Sequence, residues 1–265
     1  MATHGGSSTP WMEHLVQWYT RLTLCRRTLR EVLLGSSMVR VGLAMLQGAR
    51  DEHAEALRAA SIQLNIDIEI VELRSGVEVD SLLDCIVLPG GESTAMRKAS
   101  QSESLLTALY SWMKQHPQRP VLGTCAGAIL LANPGESERP FLRAGISRNA
   151  WGRQRDSFEA EVDISLEIPS GGSIPPQVAV RDKFNHQPLP VGDGASLENT
   201  SSFHGVFIRA PRFDQSSIKC TPVASLGKEI VGVLDGHRLA LTFHPELTGD
   251  YRFHRWLLYQ ANMVQ

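Results

Sequence analysis

Four short apolar runs, each stopping at a cluster of small or polar residues, govern what this chain can fold into. Val39 to Leu46 stops at Gln47-Gly48, and Leu82 to Leu88 stops at Pro89-Gly90-Gly91. Pro120-Val121-Leu122 runs into Gly123-Thr124-Cys125-Ala126-Gly127, and Leu239 to Phe243 delivers His244-Pro245-Glu246. A further strand is expected from Ile66 to Val71, with helical spacing over Asp51–Ser61, Ser93–Ala99 and Ser104–Gln115. Apolar strands alternating with helices predict an α/β fold, a doubly wound and mostly parallel sheet flanked by helices. In such sheets ligand chemistry collects at the carboxyl ends of the strands. Gln47, Gly90-Gly91, Cys125 and His244 are therefore expected along one edge.

The remainder of the chain reads differently. Ser157 to Ile168 alternates like a strand, and residues 169–202, rich in Pro, Gly, Ser and Asn, read as a surface insertion. Gly205 to Ile208 and Ile230 to Leu234 suggest further strands, Asp235-Gly236 a turn, and Tyr251 to Met263 a closing helix. The domain proper is expected over 38–265, preceded by an extension at 1–37. In that extension Trp11, Leu15, Trp18, Leu22, Cys25, Leu29 and Val32 recur at steps of four and three. This spacing predicts an amphipathic helix or a poorly ordered arm. Arg21, Arg26, Arg27 and Arg30 give it a faint transit-peptide flavour.

Composition narrows the partners. A formal charge of −2 provides no electrostatic footprint for nucleic acid or an anionic membrane. No apolar run approaches the ~20 residues of a membrane helix. The four cysteines are scattered, without the CxxC pairs of a zinc site or the density of a disulfide scaffold. A reducing, cytoplasmic setting fits best, where a reactive thiol can persist.

The chemistry centres on Cys125. A G-x-C-x-G elbow holds a nucleophile at a tight turn, and the helix behind it points amide N–H groups at the thiol. A free cysteine titrates near ~8.5, so efficient attack at neutral pH needs activation. His244 can take the thiol proton and later donate it to the leaving group. Glu246 can orient the imidazole, since residues i and i+2 of a strand face the same side. Each motif alone has a plainer explanation, a small cysteine packed behind a turn or an ordinary core histidine. Their pairing, each after a buried strand, points to nucleophilic acyl transfer. Pro89-Gly90-Gly91-Glu92-Ser93-Thr94 is either a tight turn capped by Ser93 or Thr94, or a loop whose amides hold an oxyanion together with the Ala126 amide.

These residues resemble the class I (triad) glutamine amidotransferases, and within them the glutaminase subunit of pyridoxal 5′-phosphate synthase. The likeness is carried by Leu46-Gln47-Gly48, Pro89 to Thr94, Gly123 to Gly127, Ser147-Arg148-Asn149, Gly152-Arg153-Gln154 and Asp156 to Ala160. It continues through Gly205-Val206-Phe207-Ile208-Arg209-Ala210-Pro211 and Phe243 to Thr248, running from about Val39 to the last helix. It implies a flavodoxin-like fold, a glutaminase (L-glutamine to L-glutamate and ammonia) and a Cys125, His244, Glu246 triad. It further implies glutamine binding by Gly90, Gly91, Glu92, Arg148, Ile208 and Arg209. Gln47 would lie near the oxyanion site and the contact with a separate synthase subunit, which would use the ammonia to build pyridoxal 5′-phosphate (vitamin B6). No metal or organic cofactor is implied. The alternatives are a non-catalytic partner that regulates the synthase, or an amidotransferase subunit serving another pathway. Residues 1–37 and 169–202 depart from the family pattern, as do Ala95 and Ala150.

Overall fold

The computed structural model describes residues 38–135, 138–148, 151, 157–174 and 201–264. The helix or arm expected over 1–37, and 175–200 of the expected insertion, lie outside the described residues.

The elements follow in the order β1 (Val39–Ala44), α1 (Arg50–Leu64), β2 (Ile68–Leu73), β3 (Cys85–Leu88), α2 (Ser93–Glu103), α3 (Leu105–Gln115), β4 (Val121–Thr124) and α4 (Ala126–Ala132). Then come β5 (Ile146–Ser147), β6 (Ser157–Ile164), β7 (Ser202–Ile208), β8 (Arg212–Phe213), β9 (Thr221–Leu226), β10 (Glu229–Asp235), β11 (Arg238–Leu241) and α5 (Arg252–Val264). Nine strands form one sheet in the order β2-β1-β3-β4-β11-β10-β9-β6-β7, while β5 and β8 pair separately. From β2 to β11 the pairing is parallel, the expected doubly wound core. From β11 to β7 it is antiparallel.

Strand side chains point alternately to the two faces, and the two halves of the core follow from that period. Val39, Val41, Leu43, Cys85, Val87, Leu122, Leu239 and Leu241 face one way, packing with Leu57 of α1 and Leu257 of α5. Ala44, Ile86, Leu88, Val121 and Ala240 face the other way, against Leu105 and Leu109 of α3 and Leu130 of α4. Both faces are covered, so β3 (Cys85–Leu88) is apolar throughout and its neighbours carry apolar residues on both sides. Among the described residues no helix is long and apolar enough to cross a membrane.

Expected and observed bounds differ mainly at element ends. Leu46 and Phe243 lie beyond their strands, and the strand begun at Ser157 stops at Ile164. The Asp235-Gly236 signal does turn β10 into β11, with Asp235 paired to Arg238. Strand β9 carries Pro222 and gives only weak sequence signal, yet it links β10 to β6.

Arg238 is a polar exception inside this frame. The residue is 7% exposed, and its guanidinium donates to the carbonyls of Pro117 and, at 2.7 Å, Met113. It thereby satisfies backbone acceptors around the end of α3 that have no helical partner. Arg238→Ala leaves these carbonyls buried and unpaired beside a cavity. A loss of about 2–4 kcal/mol is expected in urea denaturation, with Cys125 and His244 untouched.

Candidate active site

Registry brings the candidate residues together. Strands β4 and β11 are parallel neighbours with Thr124 opposite Leu241, and the Cys125 amide donates to the Leu241 carbonyl at 2.8 Å. Cys125, directly after Thr124, and His244, three residues after Leu241, therefore emerge at the same sheet edge. Phe243 is fully buried, with ring centroids 5.5 Å from Phe203 and Phe207 and 5.7 Å from Phe253. The His244 amide donates to the Val206 carbonyl at 2.9 Å. Packing and hydrogen bonding together fix where the imidazole can stand.

Cys125 occupies φ 47°, ψ −105°, a sparsely populated backbone conformation of the kind that surrounding structure must enforce. The crossing behind it demands Gly127, because a Cβ there would lie 2.0 Å from the Leu88 carbonyl oxygen. Helix α4 starts at Ala126, whose amide lies in the first turn where helical N–H groups lack intrahelical acceptors. The thiol lies 3.9 Å from the Ile208 carbonyl. The other two described cysteines, Cys85 and Cys220, are pushed up in pKa by burial and are poor nucleophiles at neutral pH.

His244 Nδ1 lies 2.7 Å from Glu246 Oε1, and both residues are buried. The contact comes from a 3-10 turn over Pro245–Leu247, not from a strand, which corrects the expected geometry while keeping the pair. Burial alone would depress the His244 pKa. The Glu246 carboxylate and a hydrogen bond with Cys125 outweigh it and hold the imidazole above its ordinary value. Burial likewise opposes the Glu246 charge, but His53 and His244 hold its carboxyl below the usual range. This is an arrangement suited to a thiolate and imidazolium pair.

The Pro89 to Thr94 segment packs on this pair. A Cβ on Gly90 would lie 2.4 Å from His244 Cε1 and 3.3 Å from Cys125 Cβ, so the bare backbone fills that space. Gln47 Oε1 accepts from the Glu92 amide at 2.9 Å and lies beside Gly91, tying the end of β1 to the turn. Glu92, not Ser93 or Thr94, caps α2: its carboxylate accepts from the Thr94 and Ala95 amides at 2.9 and 2.7 Å. Those two amides, foremost among the causes, hold the Glu92 pKa below its ordinary value. Arg148 donates to Thr94 Oγ1 at 2.6 Å and stands 3.5 Å from Glu92 Oε1. Ile208 is 40% exposed with its carbonyl facing the thiol. Arg209 follows it at φ 42° on the exposed end of β7. Its side chain makes no hydrogen bond to any other described site residue.

Two residues that sequence reasoning missed stand behind Glu246. His53 and His254 are fully buried, on α1 and α5. The available signal was a histidine on an otherwise apolar helical face, with Leu57 and Ala60 after His53, and Leu257, Leu258 and Ala261 after His254. A lone histidine in such a stripe is easily taken for core.

The comparisons with known proteins agree with this architecture. The model of the SNO glutamine amidotransferase family matches residues 43–172 and 178–263. The pyridoxal 5'-phosphate synthase subunit PdxT of Thermococcus onnurineus is 36% identical over 231 residues, 84% of this chain and 100% of that protein. Its counterpart from Methanothermobacter thermautotrophicus is 34% identical, over 83% of this chain and 96% of its own length. A crystal structure described as a glutamine amidotransferase superposes with a TM-score of 0.60 at 33% identity, over 83% of this chain and 98% of that one. With the family model matched over most of the chain's length and relatives 34–36% identical along nearly their whole chains, this chain belongs to the SNO glutamine amidotransferase family.

Proposed function

We propose that the chain hydrolyses L-glutamine through Cys125, His244 and Glu246, and delivers the ammonia to a pyridoxal 5′-phosphate synthase subunit. The Cys125 thiolate attacks the side-chain amide carbon, and the amides of Gly91 and Ala126 receive the developing oxyanion. His244 protonates the departing ammonia, leaving a glutamyl thioester. It then takes a proton from water, which attacks the thioester and releases glutamate with the thiol restored. Glu246 keeps the imidazole oriented and stabilises its charged form whenever it carries the second proton. Gly90, Gly91, Glu92, Arg148, Ile208 and Arg209 hold the substrate, and Gln47 braces the oxyanion loop where the synthase docks. The chain works in the cytoplasm as part of a hetero-oligomer. Residues 38–265 form the glutaminase domain and 1–37 an extension to it.

The contact that carries the proposal is the 2.7 Å bond between His244 and Glu246 beside a cysteine held on a strained elbow. The names of the relatives supply the partner. The test mixes the full chain with a cognate synthase subunit and follows glutamate and ammonia release. Release that rises with synthase and saturates is the expected outcome. Tight co-purification without release from glutamine would show a non-catalytic regulator instead.

A further inference from the structure

Behind the catalytic carboxylate the polar groups do not end. Glu246 Oε1 faces His244, while Glu246 Oε2 lies 3.3 Å from His53 Nε2. That same nitrogen is 3.1 Å from the hydroxyl of Thr124, the residue before Cys125. On the other side of the ring, His53 Nδ1 is 2.9 Å from His254 Nε2. Among the described residues His254 Nδ1 and Glu246 Oε2 are buried without a hydrogen-bond partner, so the His53–Glu246 contact is one of charge proximity. A fully enclosed line of groups thus runs from α5 through α1 to the nucleophile.

The protons in this line can be placed by elimination. Burial holds both imidazoles below their ordinary pKa values, so each is neutral and carries one N–H. If His254 carried its proton on Nδ1, a donor would be buried with no acceptor. His53 Nε2 would then turn a bare lone pair towards the Glu246 carboxylate. With the proton on His254 Nε2, both penalties vanish: His254 donates to His53 Nδ1, and His53 Nε2–H donates to Thr124 Oγ1 with its positive edge 3.3 Å from Glu246 Oε2. What stays without a hydrogen bond is the His254 Nδ1 lone pair, cheaper to bury than a donor facing nothing, and Glu246 Oε2, whose close polar neighbour is His53 Nε2.

We propose that His53, its tautomer fixed by His254, is a positioning residue that holds the outer oxygen of Glu246 so that the inner oxygen stays aimed at His244. It acts through Glu246 and touches neither substrate nor thiol. The inference rests on the glutaminase mechanism proposed above. Other charged groups on the packed elements are engaged elsewhere: Glu55 with Arg58, Arg50 with the Met45 carbonyl, Asp250 with Arg252, and Arg255 with Gln63. Asp51 and Glu52 lie partly exposed in the first turn of α1, and Tyr251 faces Glu55. The titratable groups that act on Glu246 are His53 and His244.

His53→Leu, His53→Gln and His254→Leu test the role in the full chain with synthase present. His53→Leu is expected to lower kcat about 10-fold, the worth of one polar contact beside a buried charged group, with KM for glutamine unchanged. A loosened Glu246 supports the His244 imidazolium less, so the alkaline limb of the kcat profile moves to lower pH. His53→Gln keeps a donor near the Nε2 position and recovers most of the loss. His254→Leu, which frees the His53 tautomer, gives a smaller loss in the same direction. A second readout needs no synthase: the rate of Cys125 carbamidomethylation at neutral pH, resolved by peptide mass, falls in His53→Leu and recovers in His53→Gln. If wild-type chain alkylates normally but releases no ammonia with synthase, the glutaminase mechanism fails while this readout still reports on His53. Unchanged kcat, pH limb and alkylation in folded His53→Leu would overturn the proposal. Should that variant not fold, an unchanged His254→Leu, or a His53→Gln lacking the donor effect on kcat and pH limb, would do the same.

Discussion

Cys125→Ala is expected to cost on the order of 10⁴- to 10⁶-fold in glutamine hydrolysis, the scale on which removing a nucleophile from a triad acts. The fold should survive, because alanine keeps the Cβ at an elbow held by the Leu241 carbonyl and by the close approach of Gly127 to Leu88. Association with the synthase subunit is likewise expected to persist, so the two properties separate in one variant. The measurement is ammonia release with saturating synthase, beside a thermal melt and a co-purification. Cys85→Ala and Cys220→Ala serve as controls. Both thiols are pushed up by burial, and neither lies on the elbow, so their loss should leave hydrolysis within about threefold. Retained hydrolysis in Cys125→Ala would end the acyl-transfer mechanism.

Much of this site was legible because parallel α/β sheets put chemistry at strand ends. Gln47, Gly90, Cys125 and His244 each follow an apolar run, and the run predicts the edge without any side-chain detail. The antiparallel half was less legible. Strand β9 contains Pro222 and β5 and β8 span two residues each, so neither alternation nor length marks them. The relation between His244 and Glu246 was expected for the wrong local reason. Proline at the first position of a short 3-10 turn sets it, and a strand period does not. The cap of α2 was misassigned in the same way: serine and threonine are the usual caps, but Glu92 reaches two amides that a shorter side chain would share less well. His53 and His254 were invisible because periodicity ranks a position by its face. Whether two buried imidazoles on different helices meet is decided by helix packing, in this case α1 against α5.

Gly90→Ala is the substitution by which the smallest added volume should do the most damage. The new methyl would stand 2.4 Å from His244 Cε1 and 3.1 Å from its Nδ1, the nitrogen that binds Glu246. Neither partner has room to yield. The imidazole follows Phe243, which is packed among Phe203, Phe207 and Phe253. The turn itself is backed by Gly48, whose own added Cβ would meet the Gly90 carbonyl oxygen at 2.0 Å. Either the ring rotates and loses Glu246, or the turn shifts and takes the Gly91 amide from the oxyanion. A displacement of ~1 Å in a reacting group costs about 10²-fold, and one lost oxyanion donor about 10²- to 10³-fold. We therefore expect kcat to fall on the order of 10³-fold, with a stability loss of about 1–3 kcal/mol from overpacking. Gly227→Ala separates the two effects. That glycine, at φ 59°, has no heavy atom within 4 Å of the added methyl, so it should lose stability through backbone strain while keeping kcat. Ammonia release with saturating synthase, read beside urea unfolding of the same preparations, decides it. A Gly90→Ala enzyme within threefold of wild-type kcat would mean that the loop and the His244 ring are not in contact during turnover.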